Sequence, residues 1–279
     1  MPKDSRTLPT DADAAYPRKA CQANRPYEGI LLATDWDGTL STEGSIPTAN
    51  LRAIQEFQSG GGYFTVISGR TPAYLSDYFL DFSPNTYTVG LNGARIEDLR
   101  TGDVLYNGFC DDGLRPLLST LLDDARKIVR ITVYCKEGGH DLSLEEARQT
   151  LPSLPATSVY KTVFITETAE DAEHLLLLAH ATPHDGYEVV RSFPTGVELL
   201  AEKNGKGAAL LRLKRALAAR FAVAVGDFEN DISLLRAADV GYAVGDAVPS
   251  LKAVAKRVVC PAREGAIAAV VEDIKKRGI

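Results

Sequence analysis

The stretch ILLATDWDGTL at residues 30–40 constrains this chain more than any other. Ile30 to Ala33 form a short apolar run that ends in Thr34-Asp35, the pattern of a buried strand closed by turn residues. Gly38 permits a sharp exit from that strand. Asp35 is thereby placed at the carboxyl end of the strand and Asp37 two residues on, where open α/β sheets bind their ligands. Two carboxylates at this spacing can face one point, the first as nucleophile or metal ligand and the second as acid/base. An ordinary strand-to-helix turn uses the same residue types, so the stretch alone leaves both readings open.

The same device recurs along the chain. Pro47-Thr48-Ala49-Asn50 opens a helix with Leu51, Ile54 and Phe57 on one face, stopped by Gly60-Gly61-Gly62. A second strand, Tyr63 to Ile67, ends in Ser68-Gly69-Arg70 before a further helix. A hydroxyl and a backbone amide at Ser68 and Gly69 can hold a phosphate oxygen; Ser68 can equally be a plain helix cap. A third strand, Thr86 to Val89, leads to Leu91-Asn92-Gly93-Ala94. Strand–helix alternation of this kind implies a parallel sheet.

Between about residues 97 and 195 the alternation breaks. Short strands at 104–110, 128–135, 159–166 and 187–192 surround helices at 112–126 and 170–182, which suggests an α+β insert. Alternation then returns: a strand at 197–200, the turn Lys203-Asn204-Gly205-Lys206-Gly207, a helix at 208–219, and a strand at 221–225 running into Gly226-Asp227-Phe228-Glu229-Asn230-Asp231. A helix at 232–237, strands at 240–244 and 257–260, a helix at 247–255 and a terminal helix from Glu264 complete it. Four strand ends carry polar, phosphate-competent residues: Asp35 with Asp37, Ser68, Lys206, and Asp227 with Asn230 and Asp231. Gathered on one sheet edge, these acids repel unless they hold a hard cation; Mg²⁺ suits oxygen ligands and keeps positions for water and phosphate. Lys206 balances charge on a phosphoryl group.

Composition narrows the class. In 279 residues, 45% hydrophobic and 24% charged, the chain has the make-up of a soluble globular protein with room for a core. A net charge of −6 argues against a nucleic-acid partner, and no apolar run approaches a membrane span. The four cysteines are scattered without a CxxC pair, which disfavours a disulfide framework and fits a cytoplasmic location. His174, His180 and His184 show no metal-ligand pattern. The polar, proline-containing residues 1–28 read as a flexible N-terminal extension.

DWDGTL at 35–40, SGR at 68–70, LNGA at 91–94, KNGKG at 203–207 and GDFENDISLLRAADVGYAVGDA at 226–247 together resemble the haloacid dehalogenase-like (HAD) superfamily, Cof-like type IIB hydrolases. The resemblance covers about residues 30 to 279 and implies an α/β fold, a Rossmann-like parallel-sheet core (29–96 and 196–279) with an inserted α+β cap domain (97–195). It implies a Mg²⁺-dependent phosphatase acting on a small phosphorylated metabolite, such as a sugar phosphate or phosphorylated cofactor, through an aspartyl-phosphate. By the same resemblance Asp35 is the nucleophile, Asp37 the acid/base, and Thr39 orients the Asp37 carboxylate. Ser68, Gly69, Asn92 and Lys206 hold the phosphoryl group. The metal is held by Asp35, the Asp37 carbonyl and Asp227, with Asn230 and Asp231 in support. The same residues leave a phosphomutase or a low-turnover phosphate-ester sensor as alternatives, and a monomer or homodimer as the assembly. Ser68 stands where many relatives have Thr, Asp246 where Asn is common, and Trp36 replaces a smaller residue and is expected to point away from the site. Lys161, Arg191 and His184 are the weakest candidates for substrate contacts from the cap.

Overall fold

A computed structural model describes residues 25–79, 82–124 and 127–278. In chain order the strands are β1 (Ile30–Thr34), β2 (Tyr63–Val66), β3 (Thr88–Gly90), β4 (Arg95–Glu97), β5 (Val104–Asn107), β6 (Ile128–Cys135), β7 (Gly138–Leu142), β8 (Val159–Thr166), β9 (Tyr187–Phe193), β10 (Gly196–Ala201), β11 (Phe221–Gly226), β12 (Val240–Ala243) and β13 (Arg257–Val258). The helices are α1 (Thr48–Ser59), α2 (Pro72–Ser76), α3 (Leu114–Asp124), α4 (Leu144–Thr150), α5 (Ala169–Ala181), α6 (Lys206–Ala216), α7 (Ile232–Ala237), α8 (Pro249–Val254) and α9 (Ala266–Arg277).

The core is a parallel sheet in the order β13-β12-β11-β1-β2. Its middle strands are apolar on both faces because helices cover both: Ile30 to Ala33 and Ala222 to Val225 are all fully buried. Burying each Leu or Val side chain contributes about 1.5–3 kcal/mol. The register Thr34↔Val225 brings the ends of β1 and β11 side by side, and Asp35 N–H donates to the Val225 carbonyl at 2.9 Å. Trp36 turns inward beneath the site, 1% exposed, with its ring among Tyr78, Phe79 and Phe82. α1 packs against α9, where the Asn50 side chain accepts from the Ala268 amide.

The second layer is an antiparallel sheet, β7-β6-β8-β10-β9. Alternation divides its faces. Ile131, Val133, Phe164, Val197 and Leu199 join Leu117 and Leu121 of α3 and Leu175 of α5 in a hydrophobic cluster of their own. The intervening residues, among them Thr132, Tyr134, Lys161, Val163 and Glu198, face a cleft above the core.

Two assignments differ from the sequence pattern. The run at 197–200 reads as a returning core strand, yet β10 pairs with β8 and β9 inside the second sheet. Its four apolar or half-apolar residues suit a buried strand of either kind, and periodicity does not separate them. The segment at 104–107 reads as part of the insert, yet β5 pairs with β4 in a small sheet, β3-β4-β5, bridged to the core through Ile67↔Val89. β7 and α4 have no counterpart in the sequence pattern, although Ser143 and Glu146 form a capping box at the start of α4. Of the N-terminal extension, residues 1–24 lie outside the described residues. Tyr27, within the same predicted segment, is 1% exposed, packs its ring at a tilt against Phe57 with centroids 4.9 Å apart and donates its hydroxyl to Glu56.

Candidate active site

The carboxyl ends of β1 and β11 and the start of α6 meet at one buried charge cluster. Lys206 Nζ donates to Asp35 Oδ1 at 2.7 Å and to Asp231 Oδ1 at 2.6 Å, and its side chain is 1% exposed. The other oxygen of Asp231 accepts from the Asp227 and Phe228 amides at 3.0 and 3.4 Å, so this carboxylate ties the lysine to the turn after β11. One carboxylate oxygen from each of Asp35, Asp227 and Asp231 lies within 4.8 Å of the others. Glycine makes the approach possible: a Cβ at Gly38, whose φ is +75°, would sit 2.5 Å from Asp227 Oδ2, and one at Gly226 would sit 2.5 Å from Asp231 Oδ2.

Three carboxylates stand here against one ammonium. Burial, then Asp231 and Asp227, push the Asp35 carboxyl well above its ordinary range, with Lys206 pulling the other way. Burial and Asp231 push Asp227 up to about 7 against the Thr39 hydroxyl and Lys206. Burial opposes the charge on Lys206, but Asp231 and Asp35 overcome it and raise its pKa. The residues fit a hard divalent cation: Asp231 has both oxygens committed, whereas Asp35 and Asp227 each retain an oxygen for a ligand. Beside them, Asn230 Oδ1 is buried and has no hydrogen-bond partner among the described residues.

The remaining sequence candidates fall around this cluster, with three departures. Thr39 Oγ1 donates to Asp227 Oδ1 at 2.8 Å and not to Asp37. The tight turn at Gly38, where the Gly38 amide bonds the Ser41 carbonyl, places the hydroxyl against the turn after β11. The Asp37 carboxylate lies apart from the buried acids, held by Arg70 in a two-bond pair at 2.9 and 3.0 Å and about half exposed. Asn92 is at the site, but its amide donates to Glu198 Oε2 at 2.7 Å, and its backbone is left-handed at φ 56°. Ser68 is buried, and its hydroxyl accepts from the Arg70 amide at 3.1 Å. Asp246, underivable from sequence, accepts from the Ala262 amide at 3.0 Å.

Above the cluster lies a cleft of about 370 Å³ between the two sheets. Asp35, Asp37, Ser68, Gly69, Arg70 and Asn230 form its floor; Arg130, Thr132, Tyr134, Lys161, Phe193 and Glu198 form the cap side. Lys161 therefore reaches the site, whereas Arg191 pairs with Glu229 and Glu173 in a larger groove of about 860 Å³ that none of the acidic cluster lines. His184 bonds the Thr182 carbonyl and also lies outside the cleft. Glu198 and Arg70 go unassigned a role in the sequence pattern; Glu198 carries a signal there, an acid inside an apolar strand.

A parallel sheet with an acid–lysine cluster at its carboxyl edge, roofed by a second sheet, makes this a capped, Rossmann-like α/β fold. The chain belongs to the haloacid dehalogenase-like hydrolase family, whose family model matches residues 32–271. It is 25% identical over 262 residues to the pyridoxal phosphate phosphatase YbhA of Escherichia coli, covering 82% of this chain and 92% of that protein. It is 28% identical over 243 residues to the HMP-PP phosphatase of Yersinia enterocolitica, covering 80% and 86%. A haloacid dehalogenase-like hydrolase from B. subtilis shares the fold, with a TM-score of 0.73 at 22% identity over 87% of this chain and 98% of that one. The class expected from the motifs, a phosphoric monoester hydrolase, agrees with these findings. Among the described residues no helix is long and apolar enough to cross a membrane.

Proposed function

We propose that this protein is a Mg²⁺-dependent phosphatase that hydrolyses a small phosphomonoester through an aspartyl-phosphate on Asp35. The observation that carries the reading is the Lys206 ammonium shared between Asp35 and Asp231, with Asp35 lining a cleft that also holds Asp37, Arg70, Arg130 and Lys161. An Asp35 oxygen attacks phosphorus and the ester P–O bond breaks, with the leaving oxygen taking a proton from Asp37. Asp37 then takes a proton from water, whose oxygen attacks the phosphorus of the aspartyl-phosphate and releases phosphate and free Asp35. Lys206 offsets the repulsion between two anions. Mg²⁺, held by Asp35 and Asp227, would supply further charge stabilisation on the phosphoryl oxygens. To act on the leaving oxygen Asp37 has to part from Arg70, and the arriving phosphate offers that guanidinium another anion.

We assign Ser68, Gly69, Asn92 and Lys206 to the phosphoryl group; Ser68 and Gly69 line the cleft. Aromatic walls from Tyr134, Phe193 and Phe228 favour a leaving group with a ring, in keeping with a phosphorylated cofactor such as the pyridoxal phosphate named for the E. coli relative. We place the reaction in the cytoplasm, with the sheet and helices of residues 110–201 as the cap over the site. The test is phosphate release from a panel including p-nitrophenyl phosphate, hexose phosphates, pyridoxal phosphate and flavin mononucleotide, with Mg²⁺, with chelator, and with Asp35→Asn. Turnover that needs Mg²⁺ and disappears in Asp35→Asn is the expected result. No release from any ester by folded, metal-loaded protein would sink the reading.

A further inference from the structure

A buried charged bridge joins the cap sheet to both loops of the proposed phosphate pocket. Lys161 on β8 and Glu198 on β10 are diagonal neighbours on one face, since Glu198 opposes Val163 in the register. Their charges meet at 2.6 Å, with side chains only 2% and 4% exposed. The pair does not close on itself. Lys161 Nζ also donates to the Gly69 carbonyl at 2.8 Å, in the loop after β2. Asn92 Nδ2, in the loop after β3, donates to the same Glu198 oxygen at 2.7 Å. The two loops are knitted to each other as well: the Asn92 amide bonds the Ser68 carbonyl at 2.9 Å and the Leu91 amide bonds the Arg70 carbonyl at 2.8 Å.

Packing is built around this bridge. A Cβ at Gly69 would lie 3.2 Å from Asn92 Oδ1 and 3.5 Å from Lys161 Nζ, so the lysine and the amide crowd the bare α-carbon. Asn92 holds a left-handed backbone that side-chain-bearing residues adopt at a cost, and Glu198 anchors its side chain there. A buried ion pair is often no better for stability than apolar residues of the same volume. Its presence beside the cleft therefore points to a task other than holding the fold together. Burial lowers the Lys161 pKa and Glu198 restores part of it, with Lys206 and Arg70 adding to the lowering.

We propose that Lys161 is a positioning residue carried by the cap: through the Gly69 carbonyl and the Glu198–Asn92 link it fixes the two loops that receive the substrate phosphoryl group, and so makes phosphate affinity depend on how the cap is seated. The proposal rests on the phosphatase reading above for its purpose, but not for its geometry.

The test compares the full chain with Lys161→Met, Lys161→Arg and the double variant Lys161→Met/Glu198→Leu, which leaves no orphaned buried charge. Thermal melting reports folding, calorimetry reports inorganic phosphate binding in Mg²⁺, and amide exchange reports the peptides spanning residues 68–70 and 91–93. Lys161→Met is expected to bind phosphate at least about tenfold more weakly and to exchange faster in both peptides, with part of the affinity restored by Lys161→Arg. The double variant is expected to regain melting temperature but not phosphate affinity. Recovery of both together, or unchanged exchange in the two peptides, overturns the proposal. Failure of the unmutated chain to bind phosphate counts against the phosphatase reading instead, and the exchange measurement then decides the positioning role by itself.

Discussion

The turn at Gly38 commits the Thr39 hydroxyl to a single acid of the cluster. A Thr beside two acids signals a hydrogen bond, but which acid receives it depends on the turn at Gly38, and the neighbouring turn comes from a segment far along the chain. In the structure it steadies Asp227. Loss of that bond in Thr39→Val is expected to weaken Mg²⁺ affinity or activity by about 10- to 100-fold, the usual range for a group that orients a metal ligand; an activity titration against Mg²⁺ checks it. Gly38→Ala should be worse, since the added carbon meets Asp227 Oδ2 at 2.5 Å on a backbone at φ +75°. Both turnover and stability are expected to fall, the latter by more than about 1 kcal/mol in urea unfolding. Asp35, Asp227 and Asp231 were legible because the ends of β1 and β11 are legible, whereas Lys206 was singled out by its turn although the strand before it belongs to the second sheet. Glu198 was not, because only the cross-strand register reveals that it faces Lys161.

At the level of elements, the apolar runs located most strands and helices, and α7 lies where the sequence pattern puts it. They failed where a run has the same look in two settings, as for β10, and where a strand is polar, as for the GGHDL of β7. Trp36 anchors the turn that carries both leading acids, and truncating it in Trp36→Ala is expected to cost about 3–5 kcal/mol by opening a cavity among Tyr78, Phe79 and Phe82. Asp239 supports the other side of the sheet, where its carboxylate takes hydrogen bonds from Lys214 of α6 and the Ala222 amide of β11. Burial works against its charge, but those donors and Lys256 win and hold its pKa below the ordinary 3.8. A depressed carboxylate stabilises the fold above its ordinary pKa, and the effect is lost as pH falls through the folded value. Asp239→Asn should therefore be less stable than the unmutated chain at neutral pH, with the gap closing in acid below about pH 4; unfolding curves across that range read it directly.

Among the described residues, the two larger hydrophobic clusters do separate work, one around the parallel sheet and one behind the cap sheet. Ile54→Val in the first and Ile131→Val in the second are each expected to cost about 0.5–1.5 kcal/mol. Their effects should add to within about 0.5 kcal/mol in the double variant, as they do for sites without shared partners. The same separation invites treating the cap as an exchangeable part, and the position of β10 limits how that can be done. It lies between β8 and β9, and its last residue leads through Glu202–Asn204 to Gly205 and Lys206. A graft cut at residue 196 would take a middle plank from the roof and leave β9 with no neighbour. The workable seam lies in the few residues between Ala201 and Lys206, so any transplanted roof arrives with its own hand on the lysine of the floor.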